Sequence, residues 1–295
     1  MNDTPARRSA SRSAGTGRKA PCHTLSSSRN FCPEKVAHSG ARCITEDLRR
    51  SGFLIVPGLG AWLEKLSPII QSEAWAALLD AHTISIIGDH SAQKSHFTLN
   101  DEGGIDVPGQ ASVGVAVKKK KSHLTLVEGG DSIASDPLLP RSVQAFLSDA
   151  FAFQRAMRAY FDDVMPPTKL PTRVQTRIFD YKPHDLWDEP APAMRQHVDG
   201  TVITVVVAET ADRALRCRAG KRWETLGRPD GKPFAVAFAG SAAMHDFDLL
   251  PIPHLVLPCN ERRISIATRL APDLGSGTLE QAERRLAQWQ LADRL

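Results

Sequence analysis

The chain has 295 residues, of which 42% are hydrophobic and 24% are charged. These proportions are typical of soluble globular proteins, so they exclude a chain that is disordered throughout and allow a sizeable core. The formal net charge is +4, but residues 1–45 hold eight Arg or Lys and two acidic residues, so the remainder carries a net charge of −2. A general electrostatic attraction for nucleic acid is therefore not expected of the folded body.

Cysteine spacing and hydropathy exclude further classes of protein. The five cysteines follow no CxxC or regular spacing, which argues against a disulfide framework or a structural zinc site. No run of 18 apolar residues occurs, so no membrane-spanning segment is predicted. We expect a cytoplasmic, monomeric protein, while the Arg-rich and Ser-rich start leaves organellar targeting open.

Four regions follow one another along the chain. Residues 1–45 are predicted to form a disordered basic leader. Residues 46–170 read as a helical and mixed region that packs on a barrel; a long amphipathic helix runs from Ser142 to the Pro166-Pro167 stop. Residues 171–272 are predicted to form the β core, and residues 273–295 a C-terminal helix.

The β core is predicted from short apolar runs separated by Gly, Pro and Asp turns. The runs are Val174–Ile178, Val202–Ala208, Leu215–Arg218, Phe234–Phe238, His254–Leu257 and Ile264–Leu270. The predicted fold class is mainly β with flanking helices, built on a double-stranded β-helix of the jelly-roll or cupin-like type.

A candidate metal site lies at the start of this core. His197 and Asp199 are two residues apart, and in an extended chain their side chains lie on one face, about 7 Å apart along the strand. His254 begins another predicted strand. Two imidazoles and one carboxylate leave three positions of an octahedral ion open, as non-haem Fe(II) oxygenases require for a co-substrate and O2.

A candidate anion clamp follows the second histidine. Arg263 and Ser265 are again two residues apart on a predicted strand, so a guanidinium and a hydroxyl point to the same side. Arg binds a carboxylate through two parallel hydrogen bonds, and Ser adds another donor. This pair suits the distal carboxylate of a 2-oxo acid co-substrate.

Five segments together carry a family resemblance. SGFLIVPGLG, HVDGTVITVV, GKRWETL, FAVAFAGS and PHLVLPCNERRISIATRLAP occur in this order. From Tyr181 to Pro272 the chain resembles the isopenicillin N synthase-like branch of the 2-oxoglutarate/Fe(II) dioxygenases. Leu255 is a departure, because Arg often stands there in the family.

The resemblance implies an activity and its cofactors. It implies Fe(II) held by His197, Asp199 and His254, 2-oxoglutarate held by Arg263 and Ser265 with help from Tyr181, and O2 as oxidant. The expected reaction is hydroxylation, desaturation or cyclisation of a small molecule, with succinate and CO2 as co-products. The resemblance also implies that Trp223 packs in the core.

Two alternatives stay open. One is an Fe(II) oxidase that uses no 2-oxoglutarate and closes a ring as isopenicillin N synthase does, since that enzyme keeps the Arg-x-Ser pair for its substrate. The other is a non-catalytic binding protein on the same fold.

Further basic residues bear on the substrate. The run Lys118–Lys121 reads as a solvated loop or an edge-strand guard, with anion binding as the alternative. Arg173 and Arg177 share one face of a strand and could hold an anionic or amino-acid-like substrate if that face lines the barrel.

Overall fold

The structure is a computed structural model of the chain. It describes residues 40–56, 59, 62–63, 66, 68, 70, 72–92, 97–98, 113–118, 120–183, 192–208, 214–226, 234–275 and 277–292. The predicted leader lies outside the described residues except for residues 40–45, which form the first half of a helix.

Most of the described helices lie before or after the β core in sequence, and one short helix lies within it. They are α1 Gly40–Ser51, α2 Glu73–Leu78, α3 Ala81–Ala92, α4 Arg141–Val164, α5 Ala243–Phe247 and α6 Leu279–Ala292, with a 3-10 turn at Asp131–Ser135. The long predicted helix is confirmed as α4, whose apolar side is buried from Val143 to Val164 and which ends before Pro166. None of the described helices is long and apolar enough to cross a membrane.

The described strands form two antiparallel sheets. The strands are β1 Phe53–Val56, β2 Phe97–Thr98, β3 Val113–Val117, β4 Lys121–Val127, β5 Thr172–Tyr181, β6 Met194–His197, β7 Ile203–Ala208, β8 Leu215–Ala219, β9 Arg222–Thr225, β10 Phe234–Ala239, β11 His254–Val256 and β12 Arg263–Gly275. The large sheet has the order β1-β10-β7-β12-β5-β4-β3, with β2 also paired to β12, and the small sheet has the order β6-β11-β8-β9. The predicted β-rich class with flanking helices is confirmed.

Strand β12 explains how the large sheet is covered on both sides. Nearly every residue of β12 is buried. Ile264, Ile266 and Leu270 belong to a core shared with the helices, whereas Ala267 belongs to a second core that also contains residues of the small sheet. Because side chains alternate along a strand, the face of β12 that carries Arg263, Ser265, Ala267 and Arg269 points into the interior between the sheets.

Two details differ from the sequence interpretation. Trp223 was expected in the core, but it lies on β9, where all four residues are exposed, and its own exposed fraction is 36%. The large sheet also includes β3 and β4, which precede the predicted core at residue 171. Short strands next to a polar segment, such as β3 and β4, carry too little periodic signal to be found from sequence.

Candidate metal and co-substrate site

The structure brings His197, Asp199 and His254 together. One potential ligand atom from each lies within 4.8 Å of the others. Nε2 of His197 is 3.4 Å from Oδ1 of Asp199, and Nε2 of His254 is 3.8 Å from the same oxygen. Asp199 and His254 are buried, whereas His197 is partly accessible, so the cluster is reached from the side of His197.

Strand pairing sets the two histidines side by side. His254 of β11 is the direct partner of His197 at the end of β6, and the ring centroids are 4.2 Å apart. Residues that face each other across an antiparallel pair have close Cβ atoms, so the small sheet itself fixes this distance. The 57 residues that separate the histidines in sequence are bridged by one β ladder.

Asp199 occupies a loop rather than the extended strand that the sequence suggested. Strand β6 ends at His197, and the chain crosses from the small sheet to β7 of the large sheet between residues 198 and 202. The backbone NH of Ser241 donates to the carbonyl of Asp199 at 2.8 Å, and that of Ala242 donates to the carbonyl of Thr201 at 3.1 Å. The turn after β10 therefore holds the carboxylate loop in place.

Gly240 is needed for this close approach. A Cβ at position 240 would collide with the carbonyl oxygen of Thr201 and lie 2.7 Å from that of Asp199. Any side chain would push the two loops apart. The glycine of the FAVAFAGS segment thus has a packing explanation at the metal loop.

Hydrogen bonds orient both imidazoles. Nδ1 of His197 lies 2.9 Å from the carbonyl oxygen of Arg195, and Nδ1 of His254 lies 3.2 Å from that of Ile252. A carbonyl oxygen only accepts, so both Nδ1 atoms carry a proton, and the two Nε2 atoms are left on the side of Asp199. This is the tautomer that a metal ligand needs.

The Asp199 carboxylate is held in its charged form. Burial alone would raise its pKa, but the neighbouring Arg269, His254 and His197 outweigh burial and hold the pKa well below its usual range. NH2 of Arg269 lies 3.4 Å from Oδ1, and Oγ1 of Thr204 donates to Oδ2 at 2.5 Å. Burial lowers the pKa of His254, so that ring is neutral and available as a ligand.

The donor set fits a ferrous ion. Two neutral imidazole nitrogens and one carboxylate oxygen on one side of an ion leave positions for other ligands, as in non-haem Fe(II) sites. A closed structural zinc site would need a fourth protein ligand, and no further His, Cys, Asp or Glu joins this cluster among the described residues.

Arg263 is a buried cation without an acceptor. Its exposed fraction is 3%, and none of its three guanidinium nitrogens has a hydrogen-bond partner among the described residues. Its Cζ lies 5.2 Å from the centroid of the Tyr181 ring. Ser265 bonds the Tyr181 hydroxyl, while burial raises the pKa of that phenol and keeps it protonated. Burying a guanidinium without an acceptor lowers the stability of the protein unless a bound anion pairs with it.

A cavity of about 780 Å³ leads to His197. It runs between α3, the strands β3, β4 and β5, and strand β6. Arg177, Lys118 and Lys121 line it, whereas Arg173 forms an ion pair with Asp273 at 2.6 Å and does not line it. The lysine run, interpreted as a solvated loop or an edge-strand guard with anion binding as the alternative, thus contributes two residues to the cavity wall.

Two residues at the site were missed by sequence reasoning. Arg269 lies six residues after Arg263, and strand alternation places both on one face. Thr204 lies directly opposite Arg269 in the β7–β12 ladder. The alternation rule could have found Arg269, but Thr204 needed the strand register.

Comparison with solved structures identifies the fold. No protein-family model and no curated protein sequence matches the chain. The dioxygenase for auxin oxidation 1 from Arabidopsis thaliana, solved with 2-oxoglutarate, matches 78% of this chain and 87% of its own with a TM-score of 0.51 at 13% identity. The rice dioxygenase for auxin oxidation matches 81% and 78%, with a TM-score of 0.51 at 16% identity.

A third similar structure is a Neurospora crassa protein in complex with alpha-KG and 5-formyluracil. It matches 86% of this chain and 90% of its own, with a TM-score of 0.52 at 13% identity. These likenesses place the chain in the fold of the 2-oxoglutarate/Fe(II) dioxygenases and confirm the predicted jelly-roll core. At such low identity they establish the fold, and the reaction has to be argued from the site.

Proposed function

We propose that the protein is a non-haem Fe(II) oxygenase that uses 2-oxoglutarate and O2 to oxidise a small molecule. The observation that carries the proposal is that the interior between the two sheets holds both a His-Asp-His cluster, open on the cavity side, and a buried guanidinium that has no acceptor among the described residues. The cluster supplies three ligands for Fe(II), and the guanidinium supplies the partner for a carboxylate.

Each side chain has a defined task in this proposal. His197, Asp199 and His254 would hold the ion, which when bound supplies the site for activating O2. Arg263 would bind the distal carboxylate of 2-oxoglutarate, Ser265 would add a hydroxyl, and the Tyr181 ring would pack against the guanidinium. Thr204 and Arg269 would keep the Asp199 carboxylate ionised and fixed in orientation.

The substrate is proposed to be a small molecule, as the size of the cavity suggests. Hydroxylation, desaturation and ring closure all stay within the proposal, because they differ in how the substrate is held. An anionic or amino-acid-like substrate is a finer proposal, and the charges around the cavity favour an anion.

Turnover measurements test this function. The purified chain with Fe(II), 2-oxoglutarate and a panel of small molecules is expected to consume O2 and release succinate in equal amounts. His197→Ala and Asp199→Ala should lose both signals while circular dichroism stays unchanged, because these residues bind an open ion rather than a structural one. Arg222→Ala on the exposed strand β9 is the control and should keep both.

The same assay separates the alternatives. O2 consumption without succinate would indicate an oxidase that needs no 2-oxoglutarate. Binding of Fe(II) and 2-oxoglutarate without either product would indicate a non-catalytic binding protein. Full turnover by the Asp199→Ala variant would contradict the assignment of the metal ligands.

A further inference from the structure

The wall of the cavity is strongly basic. Four of its described lining residues carry a positive charge, namely Lys118, Lys121, Arg177 and Arg195, and no Asp or Glu is among the described lining residues. A concave site with one sign of charge concentrates ligands of the opposite sign. The cavity is therefore suited to a negatively charged molecule.

The charges gather around one histidine. His123 of β4 faces the cavity, and its pKa is lowered to about 3 by burial and by the nearby charges of Arg177, Lys121, Lys118 and Arg269. The ring is therefore neutral at physiological pH and adds no charge. Its Nδ1 has no hydrogen-bond partner among the described residues, so a polar group remains available at the centre of the basic residues.

Strand register explains why these residues meet. Arg177 pairs with Thr125, His123 with Phe179, and Lys121 with Tyr181 in the β4–β5 ladder. Residues two apart share a face, so Lys121 and His123 on β4 lie beside Phe179 and Arg177 on β5. The Nζ of Lys121 is 5.0 Å from the centroid of the Phe179 ring.

Other parts of the cavity wall are apolar. Ile84 and Ile87 of α3, Val115 of β3 and Met194 of β6 form these parts, and Met194 leads along β6 to His197. An organic body can rest on these side chains while a charged group reaches β4 and β5. A zwitterionic amino acid fits less well, because the described lining offers no carboxylate for its ammonium group.

We propose that the substrate is an organic acid without an ammonium group, and that Arg177, with Lys118 and Lys121, binds its anionic oxygens. This proposal rests on the proposed function, since it treats the cavity beside His197 as the substrate site. Arg263 is kept for 2-oxoglutarate, so the two anions bind to different basic residues. A carboxylate and a phosphate share this chemistry, and the experiment distinguishes them.

Binding of matched probes tests the proposal. The full chain, loaded with Mn(II) in place of Fe(II) and saturated with 2-oxoglutarate, is titrated calorimetrically with phenylalkanoates from phenylacetate to 5-phenylvalerate. Each acid is compared with its neutral amide to test the need for a negative charge. Phenylalanine tests the effect of an added ammonium group, and phenyl phosphate tests whether a phosphate replaces the carboxylate. At least one acid should bind. Its amide should bind at least about ten-fold more weakly because a charge-assisted hydrogen bond is lost, and phenylalanine should bind at least about ten-fold more weakly because its ammonium group is buried without a partner.

Two variants assign the binding to Arg177. Arg177→Met should weaken the best acid by about ten- to hundred-fold, the cost of a charge-assisted hydrogen bond. Arg173→Met removes the same charge from the same strand outside the cavity and should leave acid binding unchanged. Thermal unfolding of both variants checks that each one folds, and Arg177→Lys should restore part of the affinity if Arg177→Met is unstable.

The outcomes separate this proposal from the proposed function. Equal binding of acid and amide, tighter binding of phenylalanine, or no binding by any acid at millimolar concentration would overturn the organic-acid proposal. Tighter binding of phenyl phosphate would overturn the carboxylate and assign the basic residues to a phosphate ester. Loss of 2-oxoglutarate binding in Arg177→Met would make the basic residues the co-substrate site, whereas absence of 2-oxoglutarate binding in the unmutated chain would overturn the proposed function alone.

Discussion

Substitution by Met should change the stability of the ligand-free protein in opposite directions at Arg263 and at its neighbour Arg262. Arg263 is buried without an acceptor, whereas Arg262 makes two hydrogen bonds to the Asp180 carboxylate at 2.7 and 2.8 Å. Arg263→Met removes an unpaired buried charge and should stabilise the ligand-free protein by about 1–3 kcal/mol, after about 1 kcal/mol is subtracted for the lost contact with Tyr181. Arg262→Met removes the charged partner of Asp180, which keeps only the hydrogen bond from Nε1 of Trp75 among the described residues, and should destabilise the protein by about 1–3 kcal/mol.

2-Oxoglutarate should stabilise Arg263→Met less than it stabilises the unmutated protein. At 2-oxoglutarate concentrations about 100 times the dissociation constant, binding stabilises the unmutated protein by about 2.7 kcal/mol. Loss of a charge-assisted pair of about 1.5–3 kcal/mol in Arg263→Met reduces this stabilisation to about 0.3–1.3 kcal/mol at the same concentration. The assay is thermal unfolding with Mn(II), with and without 2-oxoglutarate.

The two variants should differ in how strongly 2-oxoglutarate stabilises them. Arg262→Met should keep the full stabilisation by 2-oxoglutarate although its ligand-free form is weaker. If Arg263→Met is stabilised by 2-oxoglutarate as much as the unmutated chain, the buried guanidinium does not bind the co-substrate. If Arg263→Met is strongly destabilised without ligand, the guanidinium has a structural partner and the inference from its burial fails.

Three further predictions concern the metal loop and the cavity. Thr204→Val removes the 2.5 Å hydrogen bond to Asp199 and should weaken Fe(II) binding by about 10- to 100-fold with little change in unfolding temperature, as measured by anaerobic metal titration; unchanged affinity would contradict it. Gly240→Ala forces its Cβ against Thr201 and should lower both metal affinity and unfolding temperature, so an unaltered protein would show that the loops can separate freely. His123 has a pKa of about 3 in the folded chain and an ordinary value near 6.5 when unfolded, so the unfolded state binds one more proton between these values and stability falls as pH drops from about 6.5 to 3. In His123→Asn, the free energy of unfolding should fall less steeply with decreasing pH, by up to about 1.4 kcal/mol per pH unit, as measured by acid unfolding. Identical unfolding curves for the variant and the unmutated chain would show that His123 does not have a lowered pKa.

Local patterns were enough to predict much of the β core. Helix α4 has a clear 3.6-residue period, and β5, β7, β8, β10, β11 and β12 coincide with the predicted apolar runs, so these elements could be located from the sequence. The short polar strands β6 and β9 contain no apolar run and were not predicted. The spacing of His197 and Asp199 indicated chelation even though Asp199 lies past the end of β6. Two residues that close in the chain can reach one ion from a loop as well as from a strand.

Long-range pairing explains what sequence reasoning could not supply. The position of Thr204 against Arg269 depends on the β7–β12 register, and that of Lys121 beside Phe179 depends on β4–β5. A shift of one residue would turn each of these side chains to the other face, and no local pattern fixes that choice. From sequence, the run Lys118–Lys121 was interpreted as a solvated loop or an edge-strand guard, with anion binding as the alternative, and only the fold places Lys118 and Lys121 in the cavity wall.

The most direct measurement is a crystal structure of the chain grown without oxygen in the presence of Fe(II) and 2-oxoglutarate, with anomalous diffraction recorded at the iron edge. The expected iron peak lies between Nε2 of His197, Nε2 of His254 and the carboxylate of Asp199, with 2-oxoglutarate bound to the ion and its distal carboxylate on Arg263. An iron peak at other side chains, or a peak at these three with 2-oxoglutarate nowhere near the ion, would contradict the proposed 2-oxoglutarate-dependent oxygenase.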